Sequence, residues 1–340
     1  MQDAYARAGV DVDANNRTTA WIKQRLARQT TAGMLSDIGG FSGLWALNGY
    51  RNPVLAASTD SVGTKIKVAI ALGRYETIGR DIVHHCVDDI LVSGASPLFF
   101  LDYLAVHRNV ATTVRAIIGG VASACEAGNF ALLGGETAEM PDLYREGDFD
   151  LAGTIIGVAE RDDLIHTGQV MVGDVLLGLP STGLHTNGYS LARRLIPEQD
   201  WEKYAPELAC TYGEALLWPH RSYQAEVARL RATITVHGLA HITGGGLTDN
   251  VPRILPPGMQ AVLDAAAVPM PPLFVELVRR GALTDDEALR TFNLGVGMVA
   301  AVEQDDVARA QACLPEAFVL GRVAPEDDGR QLTYSGQLRR

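Results

Sequence analysis

No apolar stretch of the 340-residue chain approaches the roughly 20 residues that a bilayer-spanning helix requires, so a helical membrane protein is not expected. The opening Met1-Gln2-Asp3-Ala4 lacks the basic and apolar regions of a secretory signal, and a cytosolic protein is expected. Cysteine is scarce: Cys86, Cys125, Cys210 and Cys313 are far apart and form no C-x-x-C pair. Three of them lie in apolar or helical contexts where cysteine acts as a small hydrophobe, which argues against both a thiolate metal site and a disulfide framework. Basic runs are also missing, and 40 acidic against 29 basic residues give a formal charge of −11, so no nucleic-acid partner is expected. Any anionic substrate must be held locally, by a metal ion, a few cations or helix N-termini.

Several familiar motifs are absent as well. No G-x-x-x-x-G-K-[ST] occurs, which excludes a Walker-type nucleotide loop, and neither H-E-x-x-H nor G-x-S-x-G is present. Gly295-Val296-Gly297-Met298-Val299-Ala300 superficially fits a dinucleotide fingerprint. It precedes a late strand rather than opening a first β-turn-α unit, and that reading is rejected.

What is present describes a globular enzyme. Hydrophobic residues make up 47% and charged residues 20% of a chain longer than one core usually organises, so two domains are expected. The 35 glycines gather in short clusters between apolar runs, where backbone would approach a ligand closely. Strand and helix patterns alternate throughout: a helix from Thr18 to about Arg28, a strand at Pro53–Ser58, a helix at about Glu76–Ser93 with Ile78, Ile82, Cys86 and Ile90 on its apolar stripe, and a strand at Leu98–Val106. A helix at Ala111–Ala127 and strands at Phe130–Leu133 and Leu151–Glu160 follow. The polar stretch 162–172 suggests a boundary, giving an N-terminal domain 1–166 and a C-terminal domain 167–340. Beyond it come a strand at Asp174–Leu179, a long helix at about Gly213–Arg231, a strand through Val236, a helix near Asp305–Ala312 and a strand near Phe318–Val323. The fold class is α+β (α/β), two domains of mixed sheet packed with helices.

The most informative local pattern is Asp60-Ser61-Val62-Gly63-Thr64-Lys65, a strand ending in acid, small residues and lysine. Asp60 suits a hard cation such as Mg²⁺, Gly63 lets backbone turn close to an anion, and Thr64 and Lys65 offer a hydroxyl and a mobile positive charge to phosphate oxygens. Alone, the hexapeptide fits a surface turn with a solvated lysine equally well. Asp88 and Asp89 on a helix, and Glu136 after Gly134-Gly135, are further acids that would form an oxygen cage for Mg²⁺–ATP if they converged with Asp60. A solvated helix face accounts for Asp88 and Asp89 as readily; the glycines before Glu136 have no obvious packing reason. Thr243-Gly244-Gly245-Gly246 precedes a helix start and favours anion binding over a plain turn. Of the histidines, adjacent His84 and His85 cannot both face one ligand, whereas His185 and His241 adjoin loop glycines and are better candidates.

Taken in order, these pieces resemble the aminoimidazole ribonucleotide synthetase family from about Tyr5 to Val323. The resemblance is carried by Gly39-Gly40-Phe41, Thr59 to Lys65, Val87-Asp88-Asp89, Pro97 to Tyr103, Gly134 to Pro141, His185-Thr186-Asn187-Gly188-Tyr189-Ser190, His241 to Gly246 and Thr291 to Met298. It implies ATP- and Mg²⁺-dependent ring closure of formylglycinamidine ribonucleotide, with release of ADP and phosphate. It implies a homodimer whose N-terminal domains join their sheets. By the same resemblance Asp60, Asp89 and Glu136 would hold Mg²⁺ and Lys65 would steady the phosphates. Thr59, Gly63, Thr64, Gly134, Gly135, Asn187 and the Gly39–Gly43 and Thr243–Gly246 loops would contact nucleotide, with His185, Asn187 and His241 handling substrate or protons. The chain departs from the family's pattern at Ser61, where glycine is common, at Asp88, commonly asparagine, and at Thr186, commonly serine; Asp88 makes the choice between the two helix acids less certain.

Overall fold

A computed structural model describes Arg17, residues 19–22, 24–25, 33–36 and 40–340. Of the helix expected from Thr18 to about Arg28, residues 19–22 and 24–25 are helical, as is Arg17 before it, and the remainder of that expectation lies outside the described residues, as does Gly39. The chain divides into two compact units, one of residues 1–90 and 95–162 and the other of 91–94 and 163–340.

The first unit is built on strands β1 (Pro53–Ser61), β2 (Ser96–Val106), β3 (Ala131–Glu139) and β4 (Phe149–Glu160), in the spatial order β1-β4-β2-β3. Helices α1 (Ile66–Leu72), α2 (Glu76–Leu91) and α3 (Ala111–Ala127) accompany it. The apolar stripe read from α2 is buried as its spacing requires, with Ile78, Ile82 and Cys86 fully enclosed. Gly79 of α2 and Gly120 of α3 face each other so closely that a Cβ on either would collide with the partner helix's backbone, which fixes how α2 presents its remaining faces. Strands β1 and β3 both run further than their apolar starts suggested. Asp60 and Gly134-Gly135-Glu136 are therefore strand residues rather than loop residues.

Alternation then assigns faces. Asp60 pairs with Gly153, Gly153 with Asp102 and Asp102 with Gly135, so this row projects to one side of the sheet. That side carries buried Phe100 and Leu104. The opposite side carries Leu55 and Tyr103, both exposed.

The second unit contains a six-stranded sheet in the order β12-β9-β11-β5-β10-β8. Its strands are β5 (Val175–Pro180), β8 (Val236–His241), β9 (Met259–Asp264), β10 (Val296–Val302), β11 (Phe318–Pro325) and β12 (Leu332–Ser335), and the short pair β6 (Tyr204–Ala205) and β7 (Cys210–Thr211) stands apart. Every residue of β10 is buried, which explains its unbroken apolar sequence between β5 and β8. β12 lies beyond the strand expected to end the fold. The long helix expected at 213–231 is instead two helices, α5 (Tyr212–Leu216) and α6 (Gln224–Thr233). Pro219 lies in the gap and cannot continue an i to i−4 ladder. The preceding α4 (Tyr189–Leu195) and the later α7 (Gly246–Asn250), α8 (Pro272–Gly281), α9 (Asp285–Thr291) and α10 (Val307–Cys313) complete the unit.

Candidate active site

Two clusters of functional side chains emerge, one in each unit, and each is described separately.

In the first unit, β1 delivers Asp60 towards α2, where His85 and Asp89 stand four residues apart on one helix face. His85 Nε2 lies 2.8 Å from Asp60 Oδ2 and 3.8 Å from Asp89 Oδ2. The Ser61 amide donates to Asp60 Oδ1 at 2.6 Å, and the Ser58 hydroxyl donates to Asp89 Oδ2 at 2.8 Å. Partial burial alone would raise the Asp60 pKa, but the His85 hydrogen bond and charge together with the Ser61 amide outweigh it and hold the carboxyl below its ordinary value. The Asp60 side chain remains 44% exposed, so the cluster is reachable from solvent. Asp88, one residue from Asp89, is wholly buried on another helix face, which separates the roles of the two acids.

Lys65 does not behave as a mobile phosphate-binding cation. Its side chain is 0% exposed and its Nζ lies 2.8 Å from Asp81 Oδ2, itself 0% exposed. Burial lowers the ammonium's pKa while the Asp81 charge and hydrogen bond oppose that shift. The lysine is aimed inward because Gly63–Lys65 forms a turn of 3₁₀ helix that leads into α1. Gly63, at φ +66°, and Thr64 stay at the surface.

Glu136 is likewise not part of the Asp60 cluster within one chain. Its register partner is Tyr103, so it projects to the face opposite Asp60 and Asp102, and it stands on β3 while Asp60 stands on β1. Three inter-strand spacings amount to roughly 14 Å. Glycine in the strand before it has a packing reason after all: a Cβ on Gly135 would collide with the Asp102 carboxylate. Asp102 is buried, and that burial, with the Glu136 charge adding to it, pushes its carboxyl up to about 7. Thr59 also faces away from Asp60; its Oγ1 donates to the Gly153 carbonyl at 2.9 Å. Of the glycine-rich N-terminal loop, Gly40, Phe41 and Ser42 form a bend, with Phe41 fully exposed.

In the second unit, loops leaving β5 and β8 meet the loop entering β10. Asn293 stitches the first: its Oδ1 accepts from Ser181 Oγ at 3.0 Å and from the Gly295 amide at 2.9 Å, and its Nδ2 donates to the Gly183 carbonyl at 2.9 Å. Asn250 stitches the Thr243–Gly246 turn, donating from Nδ2 to the Gly244 and Gly246 carbonyls at 3.1 and 2.8 Å. A Cβ on Gly244 would stand 3.3 Å from Asn187 Oδ1, so the two expected nucleotide loops are neighbours. The helix after the glycines, α7, is only five residues long.

His185 is buried at φ +60° and its ring stacks on His220 with centroids 4.0 Å apart; His220 in turn meets His241 edge-on at 5.4 Å. The Thr182 amide donates to His185 Nε2 at 3.2 Å, so that nitrogen's lone pair is engaged. Gly297 has no side chain because one would collide with Tyr223 and His185, which explains the glycine of the false dinucleotide fingerprint.

Two comparisons give this arrangement its family. Residues 46–159 match "AIR synthase related protein, N-terminal domain" and residues 171–331 match the C-terminal domain of the same description. The phosphoribosylformylglycinamidine cyclo-ligase of Desulfitobacterium hafniense is 48% identical, covering 97% of this chain and 99% of that protein. The chain belongs to the phosphoribosylformylglycinamidine cyclo-ligase family. The enzyme of the same name from Nitrosococcus oceani is 45% identical over 98% of this chain and 95% of its own. Among solved structures, thiamine-monophosphate kinase from Stenotrophomonas maltophilia shares the fold, with a TM-score of 0.67, 20% identity, and coverage of 94% of this chain and 96% of that one. So does the hydrogenase maturation protein HypE in complex with ATP, at TM-score 0.62 and 19% identity, covering 87% of this chain and 84% of that one.

For a cyclo-ligase family member, two residues escaped sequence reasoning. His85 stands beside His84 in sequence, and its i, i+4 spacing to Asp89 is the signal that distinguishes it. His220 gave none, because its place between His185 and His241 depends on the break between α5 and α6. No helix among the described residues is long and apolar enough to cross a membrane.

Proposed function

We propose that this chain converts formylglycinamidine ribonucleotide and ATP to 5-aminoimidazole ribonucleotide, ADP and phosphate, as a cytoplasmic homodimer. The observation that carries this reading is the 48% identity to a cyclo-ligase over nearly the whole length of both chains.

The chemistry asks for charge neutralisation and alignment more than for covalent catalysis. A formamide oxygen is a poor leaving group. Transfer of the γ-phosphoryl group to it gives an iminophosphate, the ribosyl-bearing nitrogen attacks the former formyl carbon, and phosphate departs as the ring closes. Asp60 and Asp89, with oxygens near one another and open to solvent on the Asp60 side, fit an ion that prefers oxygen ligands. When bound there, Mg²⁺ would neutralise phosphate charge. Exposed Thr64 and the backbone at Gly63 would meet phosphate oxygens, while Lys65 holds the turn from inside through Asp81. In the second unit the Thr243–Gly246 turn and Asn187 offer amides to the substrate or nucleotide. His185 and His241 are the proton-handling candidates, with His185 Nε2 accepting from the Thr182 amide. Glu136, on the exposed sheet face with Leu55 and Tyr103, belongs to the surface that we assign to pairing of two copies.

The test is formation of aminoimidazole ribonucleotide, coupled to ADP release that depends on formylglycinamidine ribonucleotide. Nucleotide binding without that turnover would point to a non-catalytic relative instead. Sedimentation of the purified chain as a monomer would remove the dimer from the proposal.

A further inference from the structure

We infer that His85 is a third protein ligand of the metal site, which makes this a two-carboxylate, one-imidazole centre able to take a transition dication such as Mn²⁺ as well as Mg²⁺. The inference rests on the reading of Asp60 and Asp89 as the metal-binding carboxylates and adds a nitrogen donor to them.

The geometry is that of a coordination set. One oxygen each of Asp60 and Asp89 and one ring nitrogen of His85 lie within 4.8 Å of one another. Bonds of about 2.1 Å at angles between roughly 90° and 130° put donor atoms about 3.0 to 3.8 Å apart. His85 Nε2 lies 2.8 Å from the Asp60 oxygen and 3.8 Å from the Asp89 oxygen, so a cation could sit among the three donors with only small side-chain adjustments.

Each donor is also pre-aimed. The Ser61 amide takes Asp60 Oδ1 and so turns Oδ2 towards the imidazole. Ser58 holds the Asp89 carboxylate, and the helix fixes His85 and Asp89 on one face. Outer hydrogen bonds of this kind orient metal ligands elsewhere. His85 itself is 3% exposed while Asp60 is open to solvent, so the nitrogen closes the inner side of the site and phosphate oxygens or water can complete the outer side.

Donor chemistry sets the consequence. Carboxylates alone suit Mg²⁺ and Mn²⁺, whereas an imidazole shifts preference towards transition dications. The site should therefore hold Mn²⁺ more tightly than an all-oxygen version of itself.

The probe is Mn²⁺ added to the full chain without nucleotide. Electron spin-echo modulation of the bound ion should show coupling to a ring nitrogen, and the coupling should change when histidine alone is labelled with ¹⁵N. That measurement needs no variant. His85→Gln puts an oxygen near the Nε2 position; it should abolish the nitrogen coupling and weaken Mn²⁺ binding by about 10-fold or more. Bound Mn²⁺ with no nitrogen coupling would overturn the inference, as would a folded His85→Gln variant that holds Mn²⁺ as tightly as the parent. The ring-closure assay in Mg²⁺ on the same preparations separates the two readings. Nitrogen coupling without ring closure would keep this site and sink the proposed function; ring closure without nitrogen coupling would do the reverse.

Discussion

The two units solve the problem of positioning functional groups in different ways. The first does it with charge. Lys65 and Asp81 are sealed from solvent, Asp88 and Asp102 are buried, and Asp60, His85 and Asp89 share a contact network at the rim. The second unit holds its site loops with neutral amides: Asn293 ties the Gly183 carbonyl to the Gly295 amide, and Asn250 ties the Gly244 and Gly246 carbonyls together. Buried charge is costly unless matched, whereas an amide that satisfies carbonyls costs little and moves little with pH. The first site should be sensitive to charge deletion and to pH. The loop scaffold of the second should respond to lost hydrogen bonds, and the contribution of its asparagines should not vary with pH.

The largest effect should come from Lys65. Its replacement by Met takes the ion-pair partner from buried Asp81, and breaking such a pair costs about 3–5 kcal/mol. Urea unfolding should show that loss, and the double variant Lys65→Met/Asp81→Leu should recover much of it. A lysine that served only phosphate would leave stability unchanged in the single variant.

Next comes Asp60→Asn, which removes charge from the exposed rim and should spare the fold. We expect kcat/KM for ring closure to fall by about 10²–10³-fold, the scale seen when one electrostatic stabiliser is removed. Thermal unfolding of the variant should stay close to that of the parent. Unchanged turnover would mean that the strand end is merely structural.

This contrast also explains how much the sequence could disclose. The apolar stripe of α2, the span of α3 and the acid-glycine-lysine run that starts at the end of β1 are local patterns, and local patterns were readable. The face on which Glu136 falls was not, because it depends on pairing register across strands that are distant in sequence. The inward turn of Lys65 was hidden for a similar reason: its partner Asp81 lies on the next helix but one. Gly135 looked free of packing duty only because Asp102, the atom group that it accommodates, comes from a neighbouring strand. In the second unit the loop residues Asn187 and Thr243–Gly246 were legible by type, while the role of Asn250 and Asn293 as stitches needed the fold.

The third prediction uses pH. Burial pushes the Asp102 carboxyl up to about 7, against about 3.9 in an unfolded chain. Between these values the folded state binds the proton that the unfolded state has released, so stability falls as pH rises through this window. From pH 5 to pH 7 the decline from this group should be about 2 kcal/mol, and Asp102→Asn should flatten that limb of the stability profile. Chemical denaturation at several pH values measures it directly. A slope unchanged by the substitution would show that Asp102 is not the titrating group.

The smallest effect should come from the amide stitches, and it sharpens the contrast most. Asn250→Ala removes the donor for two carbonyls of the glycine turn and the acceptor for Thr243 Oγ1 at 3.3 Å. Gly244 is already exposed, so water can satisfy its carbonyl, whereas Gly246 is buried and its carbonyl loses a 2.8 Å bond. Losing a hydrogen bond of this kind costs about 0.5–1.5 kcal/mol. The turn should loosen without unfolding the unit, so KM for substrate or nucleotide should rise more than kcat falls. Because no charge is lost, the stability difference between Asn250→Ala and the parent should be the same at pH 5 and at pH 8. A pH-dependent difference would mean that the second unit also relies on titrating groups to hold its loops, and the division of labour drawn between the two units would fail.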